Sequence, residues 1–165
     1  MASIFERYTD PGKRAIFYAR VMAVVSEASQ ITSVDLLAGL LFGKDSRAQI
    51  LFQLREHFPL YNGCPCKFGK LPEVPSEPAL DRHARQIVMW TENEATRMGD
   101  YWIDTEHILL GILRVPVSPA ATYLARTGLT LDAARKTILD NKASRPDYGP
   151  VTRWWPVRAW LRRVF

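Results

Sequence analysis

Ile31-Thr32-Ser33-Val34-Asp35-Leu36-Leu37-Ala38-Gly39-Leu40-Leu41 and Ile103-Asp104-Thr105-Glu106-His107-Ile108-Leu109-Leu110-Gly111-Ile112-Leu113 lie 72 residues apart and align without a gap. At the same offset Ile16, Tyr18 and Ala23 fall on Val88, Trp90 and Ala95, and Ser46 and Ala48 fall on Ser118 and Ala120. Apolar character matches better than identity, as packing of two copies of one unit requires.

Each copy reads as helices. Thr9-Asp10-Pro11 is a start signal, a capping side chain followed by a proline whose missing N–H costs nothing in the first turn. Ala15, Ile16, Ala19, Met22 and Ala23 then recur on one helical face. Ser33 is the expected cap of a second helix through Leu41, closed by Gly43, and Asp45 or Ser46 starts a third running to about Phe58 before Pro59. In the second copy Asp81 caps a helix through Met98 with Gly99 as the stop, and Thr105 caps the next, which Pro116 ends. Ser118-Pro119 opens a third helix ending near Gly128, and Thr130 caps a fourth from Leu131 to about Lys142. No strand is expected, because the β-branched residues fall inside helical periods. The expectation is an all-α fold of about seven helices plus a short carboxy-terminal amphipathic helix. Residues 1–58 form the first unit, 59–78 a Pro/Gly linker, 79–143 the second unit and 144–165 a tail.

Among the 165 residues 47% are hydrophobic and 24% charged, a globular balance that excludes wholesale disorder. No apolar run reaches the roughly 20 residues of a membrane-spanning helix. The first residues carry an acid and no apolar core, so a secretory leader is not expected and the cytoplasm is the expected location. Of the net charge of +5, four units come from Arg153, Arg158, Arg162 and Arg163 in a segment with no acid. Basic character so confined, without a stacking platform, does not fit nucleic-acid binding. Cys64 and Cys66 read as reduced loop cysteines, with redox or metal binding as the alternatives, since two thiols cannot complete a structural zinc site.

Phe5-Glu6-Arg7-Tyr8-Thr9 and Thr105-Glu106-His107-Ile108-Leu109-Leu110-Gly111 resemble the two signatures of the Clp repeat family, the domain at the amino terminus of Clp-type AAA+ unfoldases. Thr9 to Ser33 and Asp81 to Thr105 both span 24 residues, in keeping with that family's first helix and turn. The resemblance covers residues 3 to 143 and implies two four-helix repeats packed as a pseudo-twofold pair, here as a stand-alone protein, with the linker in place of the first repeat's fourth helix. It further implies a module that receives substrates or adaptors and performs no covalent chemistry. No GxxxxGK[ST] phosphate loop occurs, so ATP hydrolysis by the family's route is excluded. Some members bind phosphorylated arginine through the glutamate of TEH and the threonine that begins each first helix. Here Thr9 is paired with Val34 in the glutamate place, and Glu106 with Asp81 in the threonine place. An aspartate repels phosphate, so phosphoarginine is disfavoured.

The expected polar binding residues are Thr9, Ser33, Asp81, Thr105 and Glu106, set around apolar grooves at the helix starts. No catalytic residue, metal ligand or cofactor is expected: Thr105-Glu106-His107 reads as a helix start, His57 and His83 are isolated, and HExxH is absent. Phe17, Tyr18, Trp90, Trp102 and Tyr123 read as core or as filling between the halves, with a peptide groove as the alternative. In the tail, Pro156 can open a helix whose Val157, Trp160, Leu161 and Val164 make one stripe. Its interaction residues are Trp154, Trp155, Arg158, Trp160, Arg162 and Arg163, docking on the chain's own body, in a partner's groove or on an anionic membrane. The leading function is binding of a substrate or adaptor segment, or modulation of a Clp protease or chaperone. The alternative is a membrane-surface or scaffold protein acting through the tail.

Overall fold

The computed structural model describes residues 4–43, 45–57 and 78–144. Most of the expected linker and all of the tail beyond Ser144, with its interaction residues, and both cysteines lie outside the described residues.

The first unit contains α1 (Asp10–Val25), β1 (Gln30–Ile31), α2 (Ser33–Phe42), α3 (Arg47–Phe52) and the single turn α4 (Leu54–His57). The second contains β2 (Ala79–Leu80), α5 (Arg82–Arg97), α6 (Thr105–Leu113), α7 (Pro119–Ala125) and α8 (Leu131–Asp140). Short 3-10 turns cover Ile4–Arg7 and Lys142–Ser144. The architecture is all-α, and the expected starts at Thr9, Asp81, Ser118 and Thr130 are the observed caps. Gly99 and Gly128 adopt the positive φ that lets the chain turn after α5 and α7.

Three expectations need correction. The caps of α2 and α6 are Thr32 and Asp104, each one residue before the expected Ser33 and Thr105. In both, the third helical residue closes a capping box, Asp35 bonding the Thr32 N–H and His107 the Asp104 N–H. The expected third helix is broken at Gln53, whose left-handed backbone (φ 48°) ends α3 before the buried Leu54 opens α4. Strands also exist: β1 and β2 pair in parallel, Gln30 with Ala79 and Ile31 with Leu80. Two residues are too few to show alternation in a sequence.

That small ladder has a twin. Tyr8 bridges Ile103 in parallel, and the 72-residue offset converts Tyr8 into Leu80 and Ile103 into Ile31. The Thr9 N–H donates to the Ile103 carbonyl at 2.9 Å, and the Asp81 N–H donates to the Ile31 carbonyl at 2.9 Å. The residues displaced from the cap positions repeat the symmetry. Thr105 Oγ1 accepts from the Ala48 N–H at 3.2 Å, and Ser33 Oγ accepts from the Ala120 N–H at 3.3 Å. Each unit thus satisfies helix-start donors of the other, which removes the cost of burying them unpaired.

Within each unit the first long helix crosses the second at a glycine. Gly39 of α2 rests on the backbone of Ala15 and Ala19 in α1, and Gly111 of α6 on that of Ile87 and Thr91 in α5. Side chains from both units, including Ile16, Leu36, Leu37, Leu40, Ile87 and Leu109, enclose one hydrophobic core. A second cluster of Leu110, Ala134 and Ile138 seats α8 on α6. At the 72-residue offset α8 falls on residues 59–68, so the expected loss of a fourth helix in unit one lies outside the described residues.

Candidate functional site

The starts of α2, α5 and α6 and the residues just before α1 converge where the two units meet. Thr9 caps α1 by accepting from the Gly12 N–H, and its hydroxyl donates to Asp104 Oδ1 at 3.0 Å. Asp104 Oδ1 also accepts from the Thr105 N–H at 2.6 Å. Asp81 caps α5 through the Ala84 N–H. Of the five expected binding residues, Thr9, Ser33, Thr105 and Glu106 are no more than 1% exposed, while Asp81 is half-buried.

Glu106 is engaged from within. Arg47, at the first position of α3, donates Nε to Glu106 Oε2 at 2.8 Å, with both side chains buried. Its Nη1 and Nη2 donate to the carbonyls of Ser144 and Asn141 at 3.2 and 3.1 Å. One guanidinium therefore joins both units to the end of α8. A ligand cation reaching Glu106 has to displace it, with the penalty that attends breaking a buried pair. At the places related by the 72-residue offset stand Val34 of unit one and Pro119 of unit two, without charge.

His107 lies beside this site and is buried. Its Nδ1 accepts from the Asp104 N–H, leaving Nε2 to face Asp100 Oδ2 at 3.1 Å. Asp100 Oδ1 in turn meets Lys142 Nζ at 2.7 Å, and that amine also donates to the Met98 carbonyl. This is a structural strap from α6 through the α5–α6 turn to the end of α8, consistent with the reading of Thr105-Glu106-His107 as a helix start. At the opposing start, burial pushes the Asp35 carboxyl up, Thr32 hydrogen bonds oppose the shift, and the Asp81 charge adds to it.

Glu94 of α5 is also buried, held by Arg135 Nη2 at 2.6 Å and Nε at 2.8 Å, with Arg114 Nε at 3.5 Å. Burial alone would raise its pKa. The hydrogen bonds and charge of Arg135, joined by Arg114 and Arg97, outweigh burial and hold the carboxyl below its ordinary 4.5. A folded-state value below the unfolded one contributes stability that is present above pH 4.5 and lost as pH falls through the lowered value. Glu94→Gln is therefore expected to be less stable than the parent at pH 7. The deficit should shrink in urea unfolding as pH is taken below 4.5.

Phe17 and Trp90 are partly buried and pack against the core as expected, with Arg114 stacked over Trp90 at 4.1 Å, while Tyr18 and Trp102 are partly buried without joining the core clusters. Tyr123 differs: it is 42% exposed and lies under Arg126 rather than in the core. Its helix turns Ala120, Ala121 and Leu124 inward, which sets Tyr123 outward. Sequence reasoning missed Arg47, Lys142 and Tyr101. Among the described residues no group of three or more His, Cys, Asp or Glu side chains could hold a metal ion. No described helix is long and apolar enough to cross a membrane.

Solved structures share this fold. The amino-terminal domain of the chaperone ClpD from Arabidopsis thaliana superposes with a TM-score of 0.61 at 18% identity, covering 86% of this chain and 98% of that one. The Hsp104 amino-terminal domain from Candida albicans gives 0.61 at 20% identity over 85% and 94%. This chain has the Clp amino-terminal fold. In sequence the Clp-like chain is 28% identical over 141 residues to the chaperone ClpB of Oceanobacillus iheyensis, covering 82% of itself but only 17% of that protein. The Clp-like chain matches no family model.

Proposed function

We propose that the chain is a non-catalytic protein-binding module that takes a substrate or adaptor segment, or tunes a Clp-type chaperone or protease in the cytoplasm. The observation that carries this is its likeness over more than four-fifths of its length to amino-terminal domains of Clp and Hsp104 chaperones. In this reading the rim at the starts of α2 and α5 meets the ligand, with Asp81 as the polar contact. Thr9, Ser33, Thr105 and Glu106 act from beneath, as the buried polar layer that holds this rim in place. Phosphoarginine is disfavoured, because Arg47 already fills the guanidinium place at Glu106 and Asp81 repels a phosphate.

The test is sedimentation of the full chain with a purified ClpB-type or ClpC-type ATPase and, separately, with unfolded casein. Association with either is expected, and Asp81→Arg should weaken it by about tenfold, as loss and reversal of one polar contact allows. Absence of association with both, or binding indifferent to Asp81→Arg, contradicts the reading.

A further inference from the structure

The loop before α6 carries Tyr101 and Trp102, packed edge-to-face at 5.0 Å between ring centres. Tyr101 is 65% exposed. Arg7 lies over its ring at 5.6 Å and reaches Glu92 of α5 at 3.3 Å, whose own side chain is 40% exposed. One turn earlier on α5, Met89 is 53% exposed. The fold does not require these aromatics. At the 72-residue offset the same positions of unit one hold Ser29 and Gln30, both exposed, and the chain reaches α2 equally well. Exposed aromatic side chains that the matching positions lack mark an interaction site.

The described chain ends beside it. Lys142 is bonded to Asp100 and to the Met98 carbonyl, and Ser144 follows two residues later. Six residues, 145–150, then lead to a segment that holds four arginines, Trp154, Trp155 and Trp160, and no acid. Six extended residues reach about 20 Å, so the segment begins within range of Tyr101. Its chemistry also suits the patch. Guanidinium and indole groups stack on exposed aromatic rings, and the part-exposed Glu92 carboxylate that meets Arg7 can be shared with a second arginine.

We propose that the carboxy-terminal segment 151–165 docks on its own domain at Tyr101–Trp102, through its tryptophans and arginines. The segment is then a tethered occupant of this surface, and any partner using the surface has to compete with it. The short tether gives it a high effective concentration there.

The test uses the full chain with p-benzoylphenylalanine at position 101, irradiated in dilute solution and again with anionic vesicles. A crosslink within one chain, from position 101 to a peptide of residues 151–165, is expected. Crosslinks only between two chains, only to lipid, or none to residues 151–165 overturn the proposal. Independently, the full chain carrying Tyr101→Ser and Trp102→Gln, the residues unit one uses, should be cut by trypsin at Arg153, Arg158 and Arg162 about tenfold faster, because release of a docked segment exposes its backbone. Unchanged cleavage in a variant whose circular dichroism is intact also overturns it.

Discussion

Replacing Arg47 with leucine is expected to lower stability by about 3–5 kcal/mol, read as a fall in the urea midpoint, because it takes the opposite charge away from the buried Glu106 carboxylate. Glu106 has no exposed surface from which water could compensate the charge. The companion double variant, Arg47→Leu with Glu106→Val, should recover most of the loss. The symmetry-related side of the seam shows that the fold tolerates the uncharged arrangement, since Val34 of unit one and Pro119 of unit two occupy the equivalent places. Arg47→Lys should fall between, keeping a charge but not the fork that reaches Glu106 and two carbonyls together. If the two single losses simply add in the double variant, the pair is not coupled and Arg47 is not the resident partner of Glu106.

Alanine at Gly39 or Gly111 is expected to cost about 3 kcal/mol each, the upper end of what overpacking exacts. A methyl at Gly39 would land on the carbonyl oxygen of Ala15, and one at Gly111 would lie 2.6 Å from the carbonyl oxygen of Ile87. These obstacles are backbone, which cannot rotate aside, so α1 and α2, or α5 and α6, would have to part. Gly43→Ala is the control. Its φ is −69° and the nearest heavy atom to an added Cβ is 3.4 Å away, so the unfolding midpoint should stay close to the parent's. Equal losses at all three glycines would contradict the crossing geometry.

The same two glycines explain why the duplication was legible. Gly39 and Gly111 sit amid matched leucines because each must admit a neighbouring helix, and that demand recurs at a fixed spacing. Helix starts other than that of α4 were legible to within one residue. Thr32-Ser33 and Asp104-Thr105 each offer two side chains able to cap, and the choice rests on the residue three places later, Asp35 or His107, which closes the box on the first of the two. The expected caps Ser33 and Thr105 instead serve the opposite unit, an association that only the packed pair of units reveals. Arg47 looked like any arginine at a helix start, since its partner Glu106 lies 59 residues away and no periodicity connects them. The break at Gln53 depends on a left-handed backbone that its residue type does not announce. For the binding residues, chemistry was readable but burial was not. The sequence marks Thr9 and Glu106 as polar groups at helix starts, and the closing of one unit on the other hides them.

The pairing of the two units across their seam is tested most directly by amide hydrogen exchange at Thr9 and Asp81 in the full chain. Both N–H groups donate at 2.9 Å to a carbonyl of the other unit, Ile103 and Ile31 respectively. Both are expected to exchange only through global unfolding, with closely matched protection that falls together as denaturant is added. Rapid exchange at either amide, or protection of one without the other, would show that the units do not close on each other as a symmetric pair.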